Sequence, residues 1–450
     1  MRSSIVPLHS HYDAIIVGAR CAGASTAMLL SRAGLRVLAV DRQPYGSDTL
    51  STHALMRPAV IQLSRWGLLQ PLIRSGAPVI RSTTFHYGEQ EATVPIRAEP
   101  DIPGLIAPRR TVLDRMLVDA ARAAGATIMH DTPVHDLIFD AHRRVRGVAL
   151  RDAGGQTREI SADIVVGADG LGSFIARKVE ARTLVQGRCS VAHVFGYAPA
   201  PAFSGYHWYF GRNSSGGMIP TNDGLACIVA SVPTERFDAE FRFDLSAAQL
   251  ALAALAPGLG SRVFGNGGER LKAFRGTPGR LRQAYGLGWM LVGDAGFFRD
   301  PLTSHGISDA LRDAEGAATA ILSYRESALR EFQEIRDSLA LPILETTDAI
   351  SAFDWSLEEL PERHKRFSEA MKSEVAVLLA RAARSRGSAY PARAGDVAAR
   401  GNLNTNQGAR LCKRSYDPDG PECGSENRKS GPVQSEGASP ELATSLRSAT

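Results

Sequence analysis

The 450 residues exceed one ordinary domain, and 44% hydrophobic against 22% charged residues describes a globular chain able to bury two or three cores. A net charge of +5, spread over arginines interleaved with acids and without zinc-finger spacing, excludes a nucleic-acid footprint. No run approaches the ~18 apolar residues of a membrane span, the N-terminus does not resemble a signal peptide, and five scattered cysteines without C-x-x-C indicate reduced thiols in a cytoplasmic protein, with no disulfide framework and no metal site.

The first predicted unit is "DAIIVGARCAGASTAMLLSRAGLRVLAVD", Asp13 to Asp41. Ala14–Val17 reads as a strand buried on both faces, Ala22–Arg32 as a helix stopped by Gly34, and Val37–Val40 as a second buried strand. Gly18 permits the sharp turn, Gly23 lets the helix lie close on the strand, and the helix N-terminus faces a pyrophosphate with unpaired N–H groups. Asp41 follows the glycines by about twenty residues, as ribose recognition requires, with Arg42 beside it. Arg20 stands where the dinucleotide fingerprint has glycine. Its Cβ limits backbone approach to phosphate, so its guanidinium is expected over the diphosphate or toward the far side of the cleft.

Residues 43–108 hold alternating strand patterns such as "STTFHYGEQEATVPI". "RRTVLDRMLVDAARAAGATIMHD" reads as a helix, Gly125, then a strand. "RVRGVALRDAGGQTREISADIVVGADG" reads as a hairpin over Ala153-Gly154-Gly155 returning into a parallel sheet that ends at Gly167-Ala168-Asp169-Gly170. Residues 180–281 again alternate. Met290–Val292 is a strand ending in Gly293-Asp294, followed by a proline-bearing loop and a long helix opened by Gly306-Ile307. Residues 326–386 carry helical spacing, and 387–450 lack the large apolar residues that could offset chain entropy, so this tail is expected to be disordered.

These motifs, G-x-x-x-x-G plus acid, G-A-D-G-x-x-S, then G-D-A-G-x-x-x-D-P-x-x-x-x-G-I, resemble the single-component FAD-dependent monooxygenases of the aromatic hydroxylase type. That superfamily also holds geranylgeranyl reductases and flavin-dependent halogenases. "DTLSTHALMRPAVIQLSRWGLL" further resembles a bacterial subgroup of FAD-dependent oxidoreductases. The resemblance implies an α/β fold: a Rossmann-like FAD domain from 12–42, 109–179 and 282–325, a mostly antiparallel β substrate domain from 43–108 and 180–281, and C-terminal helices. It implies that Gly18, Gly23 and Asp41 hold the ADP half of FAD, that Arg110 reaches the flavin chain, and that Asp169 and Gly170 line the cleft where NAD(P)H approaches. Asp294 is expected on the ribityl hydroxyls. Pro301 stiffens the loop before Gly306 and Ile307, whose amides meet the flavin N1–O2 edge and stabilise the reduced anion.

Candidates for contact with substrate are His305, next to the flavin-facing helix start, His53 and Arg299. Each has a plainer reading as a hydrogen-bonding loop residue, and for Arg299 that reading is pairing with Asp300 or solvent. Tyr206, Trp208 and Tyr209 either wall a pocket or pack a sheet, and His86 and Tyr87 stand behind them. The leading function is an NAD(P)H- and dioxygen-dependent monooxygenase that hydroxylates an aromatic or polycyclic small molecule through a C4a-hydroperoxyflavin. The family has no separate nicotinamide domain, so NADH and NADPH stand equal. One alternative is a geranylgeranyl-reductase-like enzyme acting on prenyl double bonds, suggested by "YHWYF" and "GDAGFFRDPLTSHGI". Another is a non-catalytic flavin-binding protein. Halogenation is disfavoured, because no lysine precedes Lys178 and W-x-W-x-I-P is absent.

Overall fold

The computed structural model describes residues 8–385 apart from 152–154, 201–204 and most of 246–270. The expected disordered tail, with Cys412 and Cys423, and the tip of the hairpin at Ala153-Gly154 lie outside the described residues. The first layer is an eight-stranded sheet. At its centre Trp289–Leu291, Thr157–Gly167, His11–Val17, Val37–Val40 and Thr127–Met129 lie side by side and parallel. Ala14, Ile15 and Ile16 are completely buried, as continuous apolar strands covered on both faces must be. Val134–Phe139 and Val145–Arg151 form an antiparallel flap on the outer half of Thr157–Gly167.

Helix Cys21–Arg32 packs against helices Arg110–Ala123 and Gly306–Leu322. The last is rich in alanine and glycine, which allows close approach: a Cβ on Gly316 would sit 2.9 Å from the Phe332 ring. Helices Glu326–Ser351 and Leu360–Ser385 then pair with one another, as the periodicity predicts. No helix of the described residues is long and apolar enough to cross a membrane.

The second layer is a seven-stranded sheet in the order Lys272–Phe274, Val191–Pro199, Leu225–Pro233, Ser214–Pro220, Tyr206–Gly211, Ser82–Tyr87, Gln90–Pro95. Every pair is antiparallel except Tyr206–Gly211 with Ser82–Tyr87. It therefore draws strands from both segments read as alternating. A small sheet of Thr183–Gln186, Arg280–Arg282 and Phe297–Phe298 ties the two layers together, so the boundary expected between 281 and 282 falls inside a strand.

Candidate functional site

Three turns distant in sequence meet at the carboxyl ends of the parallel strands, where open α/β sheets bind ligands. Gly18 has φ +100°, and a Cβ there would lie 2.3 Å from the Ala168 carbonyl oxygen. A Cβ on Gly23 would lie 1.8 Å from the Gly18 oxygen and 3.1 Å from the Ala168 Cβ. Gly293, at φ +58°, would meet Ala22 at 3.0 Å and Ala310 at 3.5 Å. No side chain fits at these crossings, so the backbone itself lines the cleft.

Asp41 ends its strand buried, with Oδ2 accepting from the Ala19 amide at 2.7 Å and Oδ1 from the Gln43 amide at 2.8 Å. Its carboxylate thus fixes the glycine turn, while Arg42 is exposed. Arg20 does not extend over the open cleft. It donates to Asp114 at 2.8 Å and to Ser47 and Asp48 at 3.1 Å, clamping the 47–48 loop. Asp114 also accepts a bidentate fork from Arg110, at 3.0 and 3.1 Å, and the Cys21 thiol at 3.2 Å. The Asp114 carboxylate raises the affinity of Arg110 for its proton against the cost of burial, and burial raises the Cys21 thiol far above its usual range. The sequence reading passed over Asp114, although its spacing of four from Arg110 on a helix was available.

Asp169 caps the short helix Phe174–Lys178: it accepts from Ser173 Oγ at 2.5 Å and from the Phe174 and Ile175 amides at 2.6 and 3.1 Å. Gly170, at φ +77°, faces open space. Asp294, on the Gly293–Ala295 turn, is partly exposed and has no hydrogen bond among the described residues. Burial and the nearby Asp309 push its carboxyl up to about 6, against the pull of Arg110 and Arg299. Gly306 is exposed, with nothing within 4 Å of a Cβ, and neither its amide nor that of Ile307 has a partner among the described residues. Pro301 opens a single tight turn, Pro301–Thr303, ahead of this helix.

His305 and Arg299, the candidates for contact with substrate, sit in a buried ion-pair network. His305 is completely buried and pairs through Nε2 with Glu374 on the last helix. Glu374 also accepts from Arg312 at 2.8 Å. Arg312 donates to Asp309 at 2.7 Å and to Asp313 at 3.0 Å, and Asp313 accepts from the Gly293 amide at 3.1 Å. Arg299 joins this network through Asp309 at 2.9 Å and Thr303 at 2.5 Å, rather than through the Asp300 carboxylate or solvent. Ligand atoms of His305, Asp309 and Glu374 lie within 4.8 Å of one another, as in a metal site, but Arg312 already supplies the cation between the two carboxylates. The network holds the Gly293–Asp294 turn and the Gly306 helix start in one rigid frame.

Behind that helix start lies a pocket between the seven-stranded sheet, the 301–304 loop and the last helix. Phe85, Trp208, Phe210, Phe367 and Met371 make it largely apolar. Alternation along the strand splits the expected aromatic cluster: Trp208 faces the pocket with Tyr206 edge-on behind it, whereas Tyr209 stacks on His86 at 4.3 Å on the other face. His53, held at φ +66°, is buried outside the pocket wall and bonded to the Tyr197 hydroxyl. Burial and Arg110 lower it to about 3, which keeps it neutral. The sequence reading missed two imidazoles on the pocket wall, His193 and His364. His364 bonds the Tyr87 hydroxyl at 2.8 Å, and burial lowers it to about 3.

The glycine crossings, the unpaired Asp294 carboxylate and the free Gly306 and Ile307 amides fit a dinucleotide carrying a flavin. Residues 11–332 match the FAD binding domain family. The chain belongs to this family. As an FAD-dependent oxidoreductase it is 28% identical to digeranylgeranylglycerophospholipid reductase 2 of Methanothermobacter thermautotrophicus, over 70% of this chain and 80% of that one. Among solved structures it resembles the flavin-dependent brominase Bmp2 (TM-score 0.67, 20% identity, 82% of this chain and 93% of that chain). It also resembles PqsL of P. aeruginosa in complex with 2-aminobenzoylacetate (TM-score 0.63, 19% identity, 80% of this chain and 100% of that chain).

The FAD fold also qualifies the argument from lysine position. Lys272, on an edge strand of the seven-stranded sheet, pairs with Asp48 at 2.6 Å, so a lysine that follows Lys178 in sequence comes back beside the segment that precedes it. Asp294 gives a testable consequence. A carboxyl raised in the folded state adds stability at low pH, and that contribution is lost as pH rises through about 6. Asp294→Asn should therefore stabilise the FAD-free protein at pH 8 by up to about 3 kcal/mol and leave it nearly unchanged at pH 4. Its FAD affinity should fall about tenfold, read by paired melting and cofactor-release measurements.

Proposed function

We propose that the chain is an NAD(P)H- and dioxygen-dependent monooxygenase acting in the cytoplasm on an aromatic or polycyclic small molecule. The observation that carries this reading is the pocket: aromatic, walled on one side by the last helix, and lined by Ser304, two residues before Gly306. When bound, FAD supplies two-electron exchange with a nicotinamide and the activation of dioxygen. Gly18, Gly23 and Asp41 would hold its ADP half, Asp294 its ribityl hydroxyls, and the Gly306 and Ile307 amides its N1–O2 edge. Held there, the amides would set a helix N-terminus against the rim that becomes anionic on reduction, which favours hydride acceptance. Arg110 and Arg20 act through Asp114 to set the cleft wall. Phe85, Trp208 and Phe367 exclude water and present an aromatic ring edge-on or stacked. His305 and Arg299 position the Gly306 helix start through Glu374 and Asp309 and do not touch substrate.

The expected result is NADH or NADPH oxidation stimulated by an aromatic compound, with one atom of labelled dioxygen appearing in the product. Nicotinamide oxidation that no aromatic compound stimulates, with no labelled product, would sink the reading. A second reading, reduction of an isolated double bond in a prenyl chain, draws on the likeness to the archaeal lipid reductase. It requires product to form without dioxygen.

A further inference from the structure

The apolar pocket carries one polar seam. His193, Ser231 and Ser215 stand directly opposite one another on three adjacent strands, and all three line the cavity. His193 Nδ1 lies 2.8 Å from Ser231 Oγ, and His193 Nε2 lies 3.0 Å from Asp300 Oδ1. Asp300 is held by the Val191 amide at 2.8 Å and the Leu302 amide at 2.9 Å, and with His193 and Ser231 it is at most 3% exposed. Ser215, 2% exposed, has no hydrogen-bond partner for its hydroxyl among the described residues. The same holds for Thr83, Ser304 and Ser368 around the same cavity. Buried hydroxyls without partners are uncommon, and several converging on one cavity point to a ligand that completes them.

The hydrogen-bond directions define what that ligand must offer. A carboxylate only accepts, so in the neutral imidazole the proton sits on Nε2 and is donated to Asp300. Nδ1 is then an acceptor, and Ser231 must spend its O–H on it. The lone pairs left on Ser231 Oγ are then free to accept from a donor in the cavity that this serine lines. The neighbouring Ser215 still has its own O–H to give. A hydroxyl satisfies both at once, donating to Ser231 and accepting from Ser215. An ether or keto oxygen satisfies only Ser215, and a hydrocarbon satisfies neither.

We propose that Ser231 and Ser215, oriented by the His193–Asp300 pair, form a hydroxyl-anchoring subsite on the sheet wall, so that the substrate is a ring-bearing alcohol or phenol rather than a hydrocarbon chain. This rests on the monooxygenase reading for the word substrate, but its test does not, because it measures binding to the oxidised FAD-loaded protein without reductant. The probes are one-, two- and three-ring aryl alcohols, each with its parent hydrocarbon and its methyl ether. Affinity is read from the perturbation of the flavin absorption spectrum and from thermal shift. At least one alcohol should bind about tenfold more tightly than both of its counterparts. The double variant Ser215→Ala with Ser231→Ala should abolish that preference while keeping full FAD and the affinity for the parent hydrocarbon. His193→Gln, which removes the acceptor that orients Ser231, should reduce the preference by part of the same factor. If no alcohol is preferred, or if none binds, the proposal fails. It fails equally if the preference survives in the double variant. Absence of oxygenated product alongside an intact alcohol preference would overturn the monooxygenase reading and leave the subsite standing.

Discussion

Glu374→Leu is expected to cost about 3–5 kcal/mol and to lower the melting temperature on the order of 10 °C, because it strands buried charge. Glu374 is completely buried, and its carboxylate is shared by His305 and Arg312. Burial alone would raise its carboxyl. His305 and Arg312 beside it outweigh that and hold it well below the usual range. A depressed carboxylate contributes stability above its ordinary range and loses it as pH falls through the lowered value. The deficit of the variant should therefore be full at neutral pH and shrink as the pH is taken from about 4.5 toward 2, which denaturant titrations at several pH values would resolve. The effect should extend to the cofactor. Arg312 reaches the Gly293 amide through Asp313 and Arg299 through Asp309, so a loosened network frees both the Asp294 turn and the Gly306 helix start. Glu374→Leu protein should release FAD faster than Leu379→Ala protein, whose change lies on a half-exposed position of the same helix. Equal FAD release from the two would mean that the network stabilises the helix pair without setting the cleft.

What was readable beforehand and what was not divide along a physical line. Gly18, Gly23 and the Gly306 helix start were visible because each obeys a local rule: a positive φ, a close crossing or a free amide end leaves few residue types to choose from. The parallel strands were visible for a similar reason, since only uninterrupted apolar runs survive burial on both faces. The residues that tune the site obey no local rule. Arg20 meets Asp114 across 94 positions and His193 meets Asp300 across 107. Alternation says which face His193 occupies, but the topology decides that Asp300 stands opposite. His305 directly precedes Gly306 in sequence, and that adjacency alone suggests a place near the substrate. The loop's charged neighbours instead serve as its scaffold, and the partner that reveals this, Glu374, lies on a helix whose sequence shows only amphipathic spacing.

Gly23→Ala is expected to give protein with at least about tenfold less FAD and a stability loss on the order of 4 kcal/mol. The added Cβ would stand 1.8 Å from the Gly18 carbonyl oxygen, a backbone atom that cannot swing aside as a side-chain tip can. Relief requires helix Cys21–Arg32 to lift off the strand. That moves Ala22 away from Gly293 and the helix N-terminus away from the cleft, so fold and cofactor site suffer together. Gly34→Ala separates this clash from the general cost of replacing a glycine. Gly34 has φ +85° but nothing within 4 Å of a Cβ, so alanine there should cost about 1 kcal/mol of backbone strain and leave FAD content unchanged. Gly18→Ala combines both penalties, at φ +100° with the Ala168 oxygen at 2.3 Å, and should resemble Gly23→Ala. The ratio of flavin to protein absorbance after purification, with melting curves, orders the three variants. If Gly23→Ala kept stoichiometric FAD, the convergence of the first and second turns at Ala168 could not be what shapes the binding cleft.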